Sequence, residues 1–437
     1  MDGPARPADP GPVTGRVPVL SVTTSAVDDP GPLMDLLPAG VAPLTWVRRG
    51  DGLVAWGEAA RTTVSGPARF SEVRRWWTDV VAASRVRDEV GVPGSGLVSW
   101  CSFAFDDTST TDSVAVVPAV VVGRRAGRSW VTRIRVVGDG HAGAATDLRP
   151  AVPMATAAPV SPGEPSWADG ALGPAAWEEA VAAAVCRIRS GAAEKVVLAR
   201  DTVARTREPI DVRWPLTKLS MAYLPCWTFC VEGLFGATPE LLLRSDHGLV
   251  TSRVLAGTIG RTGDLAADAV ALAATLAHSS KDLSEHRLAV ESAARVLAAA
   301  CESINVPDEP FVLHLPNVLH LATDVTGVLA SRAGLLELVA RLHPTAAVGG
   351  TPQAAALGLI TELEGMDRGR YAGPVGWVDA RGDGEFGIAL RCAQLDPDDA
   401  RQARAFAGCG IVADSDPAAE LAESVAKLVP IRDALSS

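Results

Sequence analysis

Two glutamates near the C-terminus are candidate functional residues because of their carboxylate side chains and their spacing. Glu420 and Glu423 are three residues apart and follow an Asp416-Pro417 pair. Aspartate is a favoured N-cap and proline a favoured first helical residue, so a helix should begin here. That helix would place both carboxylates on one face, with Lys427 one turn beyond, and two carboxylates on a rigid face suit a hard divalent cation such as Mg2+. The alternative is an exposed helix with a Glu423–Lys427 ion pair.

A second acidic pair repeats this spacing. Asp282 and Glu285 are also three residues apart in a stretch with helical character. Two acidic faces in one chain could close around a single cation, and a glycine-bearing loop precedes the face formed by Glu420 and Glu423. A solvated acidic helix face remains the alternative for either pair.

Two other residues could transfer protons. Lys195 opens an apolar strand, so burial of its stem would desolvate the amine and favour the neutral, basic form. Glu240 follows Pro239 at the entry to another apolar strand, where burial would raise the pKa of the carboxyl and let it act as a general acid. Each pattern alone is weak, because strand-edge lysines with solvated ammonium groups and strand-start glutamates are common.

A rigid turn and an arginine could bind an anionic ligand. Residues 343–352 read His-Pro-Thr-Ala-Ala-Val-Gly-Gly-Thr-Pro, and such a glycine-rich turn lets the backbone approach a ligand. Arg391 ends a predicted strand that starts at Glu385, and its planar guanidinium matches a carboxylate. Tyr371 is expected on the neighbouring strand. Arg391 and Tyr371 could instead be structural.

Composition limits the classes of function. The chain has 437 residues, 48% of them apolar, which is enough for a large core in one or several domains. The net charge of −11 disfavours nucleic acid and anionic membrane surfaces as partners and favours small molecules. We expect a cytoplasmic location, because the chain shows no signal-peptide core and no apolar run of about 18 residues. Seven cysteines without a CxxC pair predict reduced thiols and no zinc site.

The chain divides into four segments that differ in composition and sequence pattern. Residues 1–20, rich in Pro, Gly and Asp, are expected to be a disordered leader. Residues 21–140 carry short β-branched runs between Gly and Pro and predict a mostly β half. Residues 141–173 are rich in Ala, Pro and Gly and predict a linker. Residues 174–435 mix helical and strand patterns, and we expect them to pack with the N-terminal half as one domain.

The last segment contains the clearest secondary-structure signals. Apolar residues at helical spacing predict a helix over 174–190, and an Ala/Leu-rich stretch predicts one or two helices over 265–300. Apolar runs predict strands at 195–199, 228–231, 241–244, 373–378 and 385–392. This mixed order predicts an α+β fold rather than alternating βαβ units.

Seven segments, in order, resemble the chorismate-utilising enzymes, a family that includes isochorismate, salicylate, anthranilate and aminodeoxychorismate synthases. The similar region covers roughly residues 170–435, and the segments are Lys-Val-Val-Leu-Ala-Arg at 195–200, Ala-Thr-Pro-Glu at 237–240, Leu-Ala-Gly-Thr at 255–258, Lys-Asp and Glu-His within 281–286, His-Pro-Thr at 343–345, Tyr-Ala-Gly-Pro-Val-Gly at 371–376 and Ala-Gly-Cys-Gly-Ile-Val at 407–412. The resemblance implies an anthranilate synthase component I-like fold, with large antiparallel sheets flanked by helices. Residues 174–435 would be the chorismate-binding catalytic region.

The resemblance also implies a role for each matching position. Glu285 and Glu423 would hold Mg2+, with Asp282 and Glu420 in support. Lys195 would deprotonate a water that attacks C2 of chorismate, and Glu240 would protonate the departing C4 hydroxyl. The remaining residues would bind the substrate's carboxylates and ring, namely Gly257, Thr258, His320, Ala347, Tyr371, Arg391, Gly408, Cys409 and Lys427.

Within the family, Lys195 favours water as the nucleophile, because ammonia-using members typically carry Gln at that position. The implied activity is therefore the conversion of chorismate to isochorismate, for menaquinone or siderophore biosynthesis, without a glutaminase subunit and as a monomer. Salicylate synthases usually carry a hydroxylated residue where this chain has Ala347. Salicylate formation and a catalytically inactive chorismate-binding protein are the alternatives.

Overall fold

The helices surround two large sheets. The computed structural model describes residues 17–137, 156–260, 266–316, 318–330 and 334–437. Within these ranges a short 3-10 helix spans Leu33–Leu36, and the α-helices span Arg69–Ala83, Pro174–Arg189, Arg213–Ala222, Ala266–His278, Ser280–Ala298, Leu335–Leu342, Gln353–Leu363 and Pro417–Leu435. The α+β class with large antiparallel sheets flanked by helices is confirmed.

The first sheet joins strands from both halves of the chain. Its order is Ser166–Asp169, Lys195–Arg205, Gln402–Ile411, Cys392–Leu395, Leu234–Thr238, Trp227–Val231, Pro43–Arg48, Asp51–Trp56, Val120–Arg125, Arg128–Val136, Leu20–Val27 and Arg85–Asp88. A two-residue strand, Gly350–Thr351, also pairs with Lys195–Arg205. The pairings are antiparallel except for the last one, between Leu20–Val27 and Arg85–Asp88.

The second sheet also draws on both halves. Its order is Cys301–Asn305, Val318–Leu329, Leu249–Gly260, Leu241–Asp246, Gly384–Ile388, Pro374–Asp379, Val98–Ser102, Ser113–Val117 and Ala60–Val64, and Phe311–His314 pairs with Val318–Leu329. Each sheet has one junction where a strand of the first half pairs with a strand of the second, between Trp227–Val231 and Pro43–Arg48 and between Pro374–Asp379 and Val98–Ser102.

A core of aromatic and branched side chains lies between the sheets. Trp46 and Trp130 of the first sheet belong to the same buried cluster as Trp100, Trp377 and Phe386 of the second. Burial of such large apolar side chains is the main favourable contribution to folding. The core therefore joins the two sheets.

Several predicted elements are present. The predicted helix at 174–190 is Pro174–Arg189, the stretch at 265–300 holds two helices, and the strand predicted from Lys195 extends to Arg205. The C-terminal helix, Pro417–Leu435, begins as predicted. The side chain of Asp416 accepts a hydrogen bond from the amide of Ala419 at 2.9 Å, which caps the helix.

The strand predicted at 385–392 is wrong. The chain forms Gly384–Ile388 in the second sheet, breaks, and resumes as Cys392–Leu395 in the first. Arg391, at the break, has a left-handed φ of 49°, which a continuous strand cannot contain. Tyr371 likewise lies three residues before the strand Pro374–Asp379, in a turn rather than on the strand.

Two elements lie in intervals for which another structure was predicted, and the predicted leader lies largely outside the described residues. Helix Arg69–Ala83 interrupts the mostly β half, and strand Ser166–Asp169 lies within the interval predicted as a linker. The leader lies outside the described residues up to residue 16, and Leu20, its last residue, already begins a strand. No helix among the described residues has both the length and the apolarity needed to cross a bilayer.

Candidate active site

A cavity of about 220 Å³ collects most of the predicted site residues. Both sheets, the turn after residue 343 and the C-terminal helix contribute to its walls. Eleven of the 15 predicted site residues line it, namely Lys195, Glu240, Gly257, His320, Ala347, Tyr371, Arg391, Gly408, Glu420, Glu423 and Lys427.

Lys195 reaches the cavity from the first residue of its strand. Its side chain is buried, with 2% of the residue exposed. Lys195 lies opposite Thr351, and a β-carbon on the neighbouring Gly350 would come within 2.2 Å of the Lys195 carbonyl. Only glycine permits this close approach, since Gly350 also has a φ of 143°. The turn carrying Ala347 is thereby held against the strand carrying Lys195.

Glu240 lies where the chain crosses from one sheet to the other. Leu234–Thr238 ends in the first sheet, and Leu241–Asp246 begins in the second. The Glu240 carboxyl is buried, and burial raises its pKa to about 8 although Lys195, Arg391 and Lys427 act in the opposite direction. At neutral pH the protonated form predominates, so Glu240 can donate a proton into the cavity.

The C-terminal helix brings its two carboxylates together. Glu420 is buried and accepts a hydrogen bond from the Ser415 hydroxyl at 2.7 Å. Glu423 accepts from the Lys427 amine at 2.6 Å, and the same amine donates to the carbonyl of Gly408 at 2.9 Å. Burial acts to lower the pKa of Lys427, but the neighbouring groups together, Glu423 first among them, more than offset it and raise the pKa, so Lys427 is a cation.

Oxygen atoms of these carboxylates converge beside a thiol. The Cys409 sulfur and one carboxylate oxygen from each of Glu420 and Glu423 lie within 4.8 Å of one another. Burial raises the pKa of the Cys409 thiol well above its ordinary value, so the sulfur is protonated and a poor ligand. The two carboxylates, by contrast, are hard oxygen donors of the kind that Mg2+ prefers. This donor set fits Mg2+ through its glutamates and not through its cysteine.

An arginine and a histidine form the opposite wall. Arg391 donates from Nη2 to Nε2 of His320 at 3.0 Å. Burial lowers the pKa of His320 well below its ordinary value, with Arg391 adding to the effect, so the imidazole is neutral and can accept this bond. The left-handed turn at Arg391 aims the guanidinium into the cavity, where it can bind a carboxylate.

Tyr371 and Gly408 limit the space beside Arg391. The Tyr371 ring stacks on Phe406 with centroids 4.8 Å apart and planes 9° from parallel. A β-carbon on Gly408 would lie 3.0 Å from the Tyr371 hydroxyl and 3.0 Å from the Leu198 carbonyl. A side chain at position 408 would therefore crowd the tyrosine, and glycine leaves its backbone exposed to the cavity.

Among the predicted residues whose side chains are described, one does not line the cavity. Cys409 lies behind the wall, with its thiol donating to the Glu420 carbonyl at 3.3 Å. The side chains of Thr258, Asp282 and Glu285 lie outside the described part of the structure, although their backbones belong to strand Leu249–Gly260 and helix Ser280–Ala298. Their predicted roles stay predictions.

The motif reasoning missed other residues of the wall. They are Val197, Pro239, Leu255, Ala256, Val348, Arg368, Ala372, Leu390 and Gly410. Most are apolar neighbours of predicted residues, which alternation along a strand could have indicated. Arg368 is different, because it is charged and fully enclosed, and its only local signal was a glutamate four residues earlier.

Comparison with known proteins assigns the class of protein to which this fold and cavity belong. Residues 46–436 match the family model for chorismate binding enzymes, and the chain belongs to that family. The fold of this chain also matches the solved structure of an isochorismate synthase. The structure of MenF, the menaquinone-specific isochorismate synthase from Escherichia coli, matches over 96% of both chains with a TM-score of 0.78 and 22% identity.

Two curated relatives are more similar in sequence. The salicylate biosynthesis isochorismate synthase of Pseudomonas aeruginosa is 43% identical over 265 residues, which are 60% of this chain and 55% of the relative. Isochorismate synthase MenF of Bacillus subtilis is 36% identical over 263 residues, 59% of this chain and 55% of the relative. The matched region thus spans about half the length of these relatives.

Proposed function

We propose that this protein is an isochorismate synthase, which converts chorismate to isochorismate with Mg2+ as its cofactor. One observation carries the proposal: Lys195 and a Glu240 that is protonated at neutral pH line the same small cavity, together with two convergent carboxylates and a buried arginine. A base, an acid and an anion-binding wall are the parts that a hydroxyl transposition needs. The two curated relatives described above carry the same activity in their names.

Lys195 and Glu240 would carry out the two proton transfers of the reaction. The Lys195 amine takes a proton from a water molecule as the water oxygen bonds to C2 of chorismate. The ring double bonds shift, the C4–oxygen bond breaks, and Glu240 gives its proton to the departing hydroxyl, which leaves as water. One water enters and one leaves, so the reaction is a 1,5-transposition of hydroxyl without a redox change. Solvent then restores the proton to Glu240 and removes it from Lys195.

The carboxylates of chorismate would be bound at two places. Arg391, Tyr371 and the backbone at Gly408 would bind the enolpyruvyl carboxylate. Glu423 and Glu420, with Glu285 and Asp282, would hold Mg2+, which when bound neutralises the carboxylate on the ring. His320 and Gly257 lie at the part of the wall expected beside the ring, and the neutral imidazole keeps Arg391 in place.

Product analysis tests the proposal. Purified protein is incubated with chorismate with and without Mg2+, and the products are separated by chromatography. We expect isochorismate as the main product, only with Mg2+. Salicylate plus pyruvate would contradict the assignment, and so would tight chorismate binding without turnover. Ala347, which lacks the hydroxyl usual at this position in salicylate synthases, favours the first outcome.

The pathway is the finer part of the proposal. Isochorismate would feed menaquinone or siderophore biosynthesis in the cytoplasm, from a monomer that needs no glutaminase subunit because its nucleophile is water. Addition of an ammonium salt to the assay should therefore yield no aminated product. Aminodeoxyisochorismate or anthranilate in that assay would contradict this part.

A further inference from the structure

Among the described residues, the strand that carries Lys195 has no strand neighbour over a short stretch of one edge. At its start it pairs with Gly350–Thr351, and from Thr202 onward with Ser166–Asp169. Between these two short partners, the outward-facing carbonyl of Val197 and amide of Ala199 need other hydrogen-bond partners. The opposite edge of the strand is paired with Gln402–Ile411 throughout.

Two side chains fill this gap. Arg368 donates from Nη2 to the Val197 carbonyl at 2.7 Å. Glu364 accepts at Oε1 from the amide of Ala199 at 2.7 Å. An arginine and a glutamate thus take the place of the missing strand, with the cation on the carbonyl and the carboxylate on the amide.

The same guanidinium also binds the turn that leads into Gly350. Arg368 donates from Nη1 to the Val348 carbonyl at 2.9 Å, and from Nε to Oε2 of Glu364 at 2.9 Å. The side chains of Arg368 and Glu364 are only 3% and 1% exposed, and the guanidinium packs 4.3 Å from the centroid of the Phe105 ring. Nη2 also donates to Oε1 of Glu364. A planar, enclosed fork with four directed bonds is a rigid connector, which a lysine cannot reproduce.

This connector joins two parts of the cavity wall, a strand and a turn. Lys195 and Val197 lie on the strand that it binds, and Ala347 and Val348 lie in the turn. We propose that Arg368 and Glu364 are positioning residues, which set the placement of the Lys195 amine relative to the turn that faces it. The catalytic consequence rests on the proposed function, in which Lys195 activates water. Misplacement of a reacting group by about 1 Å can cost about 100-fold in rate, so the effect should appear in kcat.

Kinetics of two variants and a matched control test the proposal. We expect Arg368→Lys to lower kcat about 100-fold with KM changed less than about 3-fold, because the residues proposed to bind chorismate are untouched. Glu364→Gln keeps an oxygen for the Ala199 amide, so a smaller loss of about 10-fold is expected, and it serves if Arg368→Lys does not fold. The control is Arg213→Lys. Arg213 is also buried, pairs with Asp211 at 2.5 Å and donates to the carbonyls of Leu37 and Ala157, but does not line the cavity.

A readout that does not depend on turnover separates positioning from general stability. The chain has only four lysines, so the NMR spectrum of protein labelled with [ε-13C]lysine should contain few signals. The Lys195 signal is the one that disappears in Lys195→Gln. Arg368→Lys and Glu364→Gln should shift this signal, and Arg213→Lys should leave it in place. An unmoved Lys195 signal in both cavity variants, or an equal loss of kcat in the control, would overturn the proposal.

The same signal keeps the two proposals apart. If the wild-type protein forms no isochorismate and the Lys195 signal still shifts in Arg368→Lys, the proposed function fails while the positioning role holds. If the wild-type protein is active and neither kcat nor the Lys195 signal responds, the positioning role fails alone.

Discussion

Two sides of one cavity use the same kind of residue in different ways. On the proton-transfer side, formed by Lys195 and Glu240, burial of the Glu240 carboxyl outweighs the nearby cations and raises its pKa to about 8. On the binding side, formed by Glu420, Glu423, Lys427 and Arg391, the Glu423 carboxylate is paired with Lys427 at 2.6 Å and is 30% exposed. Both glutamates line the same space.

The surroundings of each glutamate, rather than its residue type, decide whether its carboxyl group serves as an acid or as a ligand. Removal from water disfavours the charged form of a carboxyl, and a neighbouring cation restores it. Glu240 is thus prepared to give up a proton, whereas the Glu423 side chain is paired with the Lys427 amine. Substitutions on the proton-transfer side should lower kcat, whereas those on the binding side should change affinity for chorismate or Mg2+.

The largest effect is expected for Lys195→Gln. Loss of the base should lower kcat by about 10,000-fold, because water is then no longer activated at the ring. Chorismate binding, measured by calorimetry, should persist. Lys218→Gln is the matched control, since Lys218 lies on helix Arg213–Ala222 and bonds the Ser436 carbonyl away from the cavity. Isochorismate formation at the wild-type rate by Lys195→Gln would contradict the assignment of the base.

Glu240→Gln should cost about 1,000-fold in kcat at similar KM, since the amide keeps the shape of the carboxyl but is a far weaker acid. The wild-type activity should also fall as the pH rises above about 8, where Glu240 loses its proton. This basic limb should be absent from the residual activity of the variant. Undiminished turnover by Glu240→Gln would remove this residue from the mechanism.

On the binding side, Glu420→Gln should spare kcat at saturating metal. It should raise the Mg2+ concentration for half-maximal activity by about 10- to 100-fold, because one of two convergent carboxylates loses its charge. A titration with Mg2+ at fixed chorismate measures this shift. A fall in kcat that excess Mg2+ cannot recover would erase the difference between the two sides.

The smallest effect concerns stability. Between about pH 4.5 and 8 the folded chain keeps a proton on Glu240 that the unfolded chain releases, so the contribution of Glu240 to the free energy of unfolding is full below this window and is lost as the pH rises through it. The loss is at most about 1.4 kcal/mol per pH unit for one proton. Urea unfolding of wild type and Glu240→Gln across this range should show a difference that changes with pH. A constant difference would mean that Glu240 titrates normally.

Local patterns predicted the parts of this site that are local. Asp416 and Pro417 mark the start of the C-terminal helix, and the spacing of Glu420, Glu423 and Lys427 places them on one face. The assembly of these residues with Lys195 and Glu240 followed only from the family resemblance, because no periodicity indicates contact between segments so far apart in the chain.

Other features depend on tertiary context that no local pattern contains. The break at Arg391 requires an unfavourable backbone conformation, which the apolar run around it conceals. Helix Arg69–Ala83 buries Val73, Trp77 and Val80 at helical spacing, a signal that the surrounding β-branched runs obscured. The role of Arg368 lies in bonds to backbone carbonyls 20 and 171 residues away, and backbone groups leave no trace in the sequence.

The most direct test of the central claim is the fate of the water oxygen. Chorismate is converted in water enriched in oxygen-18, with Mg2+, and the product is examined by mass spectrometry. The account predicts isochorismate with one oxygen-18 atom at C2, unlabelled hydroxyl released from C4, and no pyruvate. Isochorismate that retains the original oxygen would contradict a mechanism in which Lys195 activates water and Glu240 protonates the leaving group. Release of pyruvate with salicylate would contradict isochorismate as the final product.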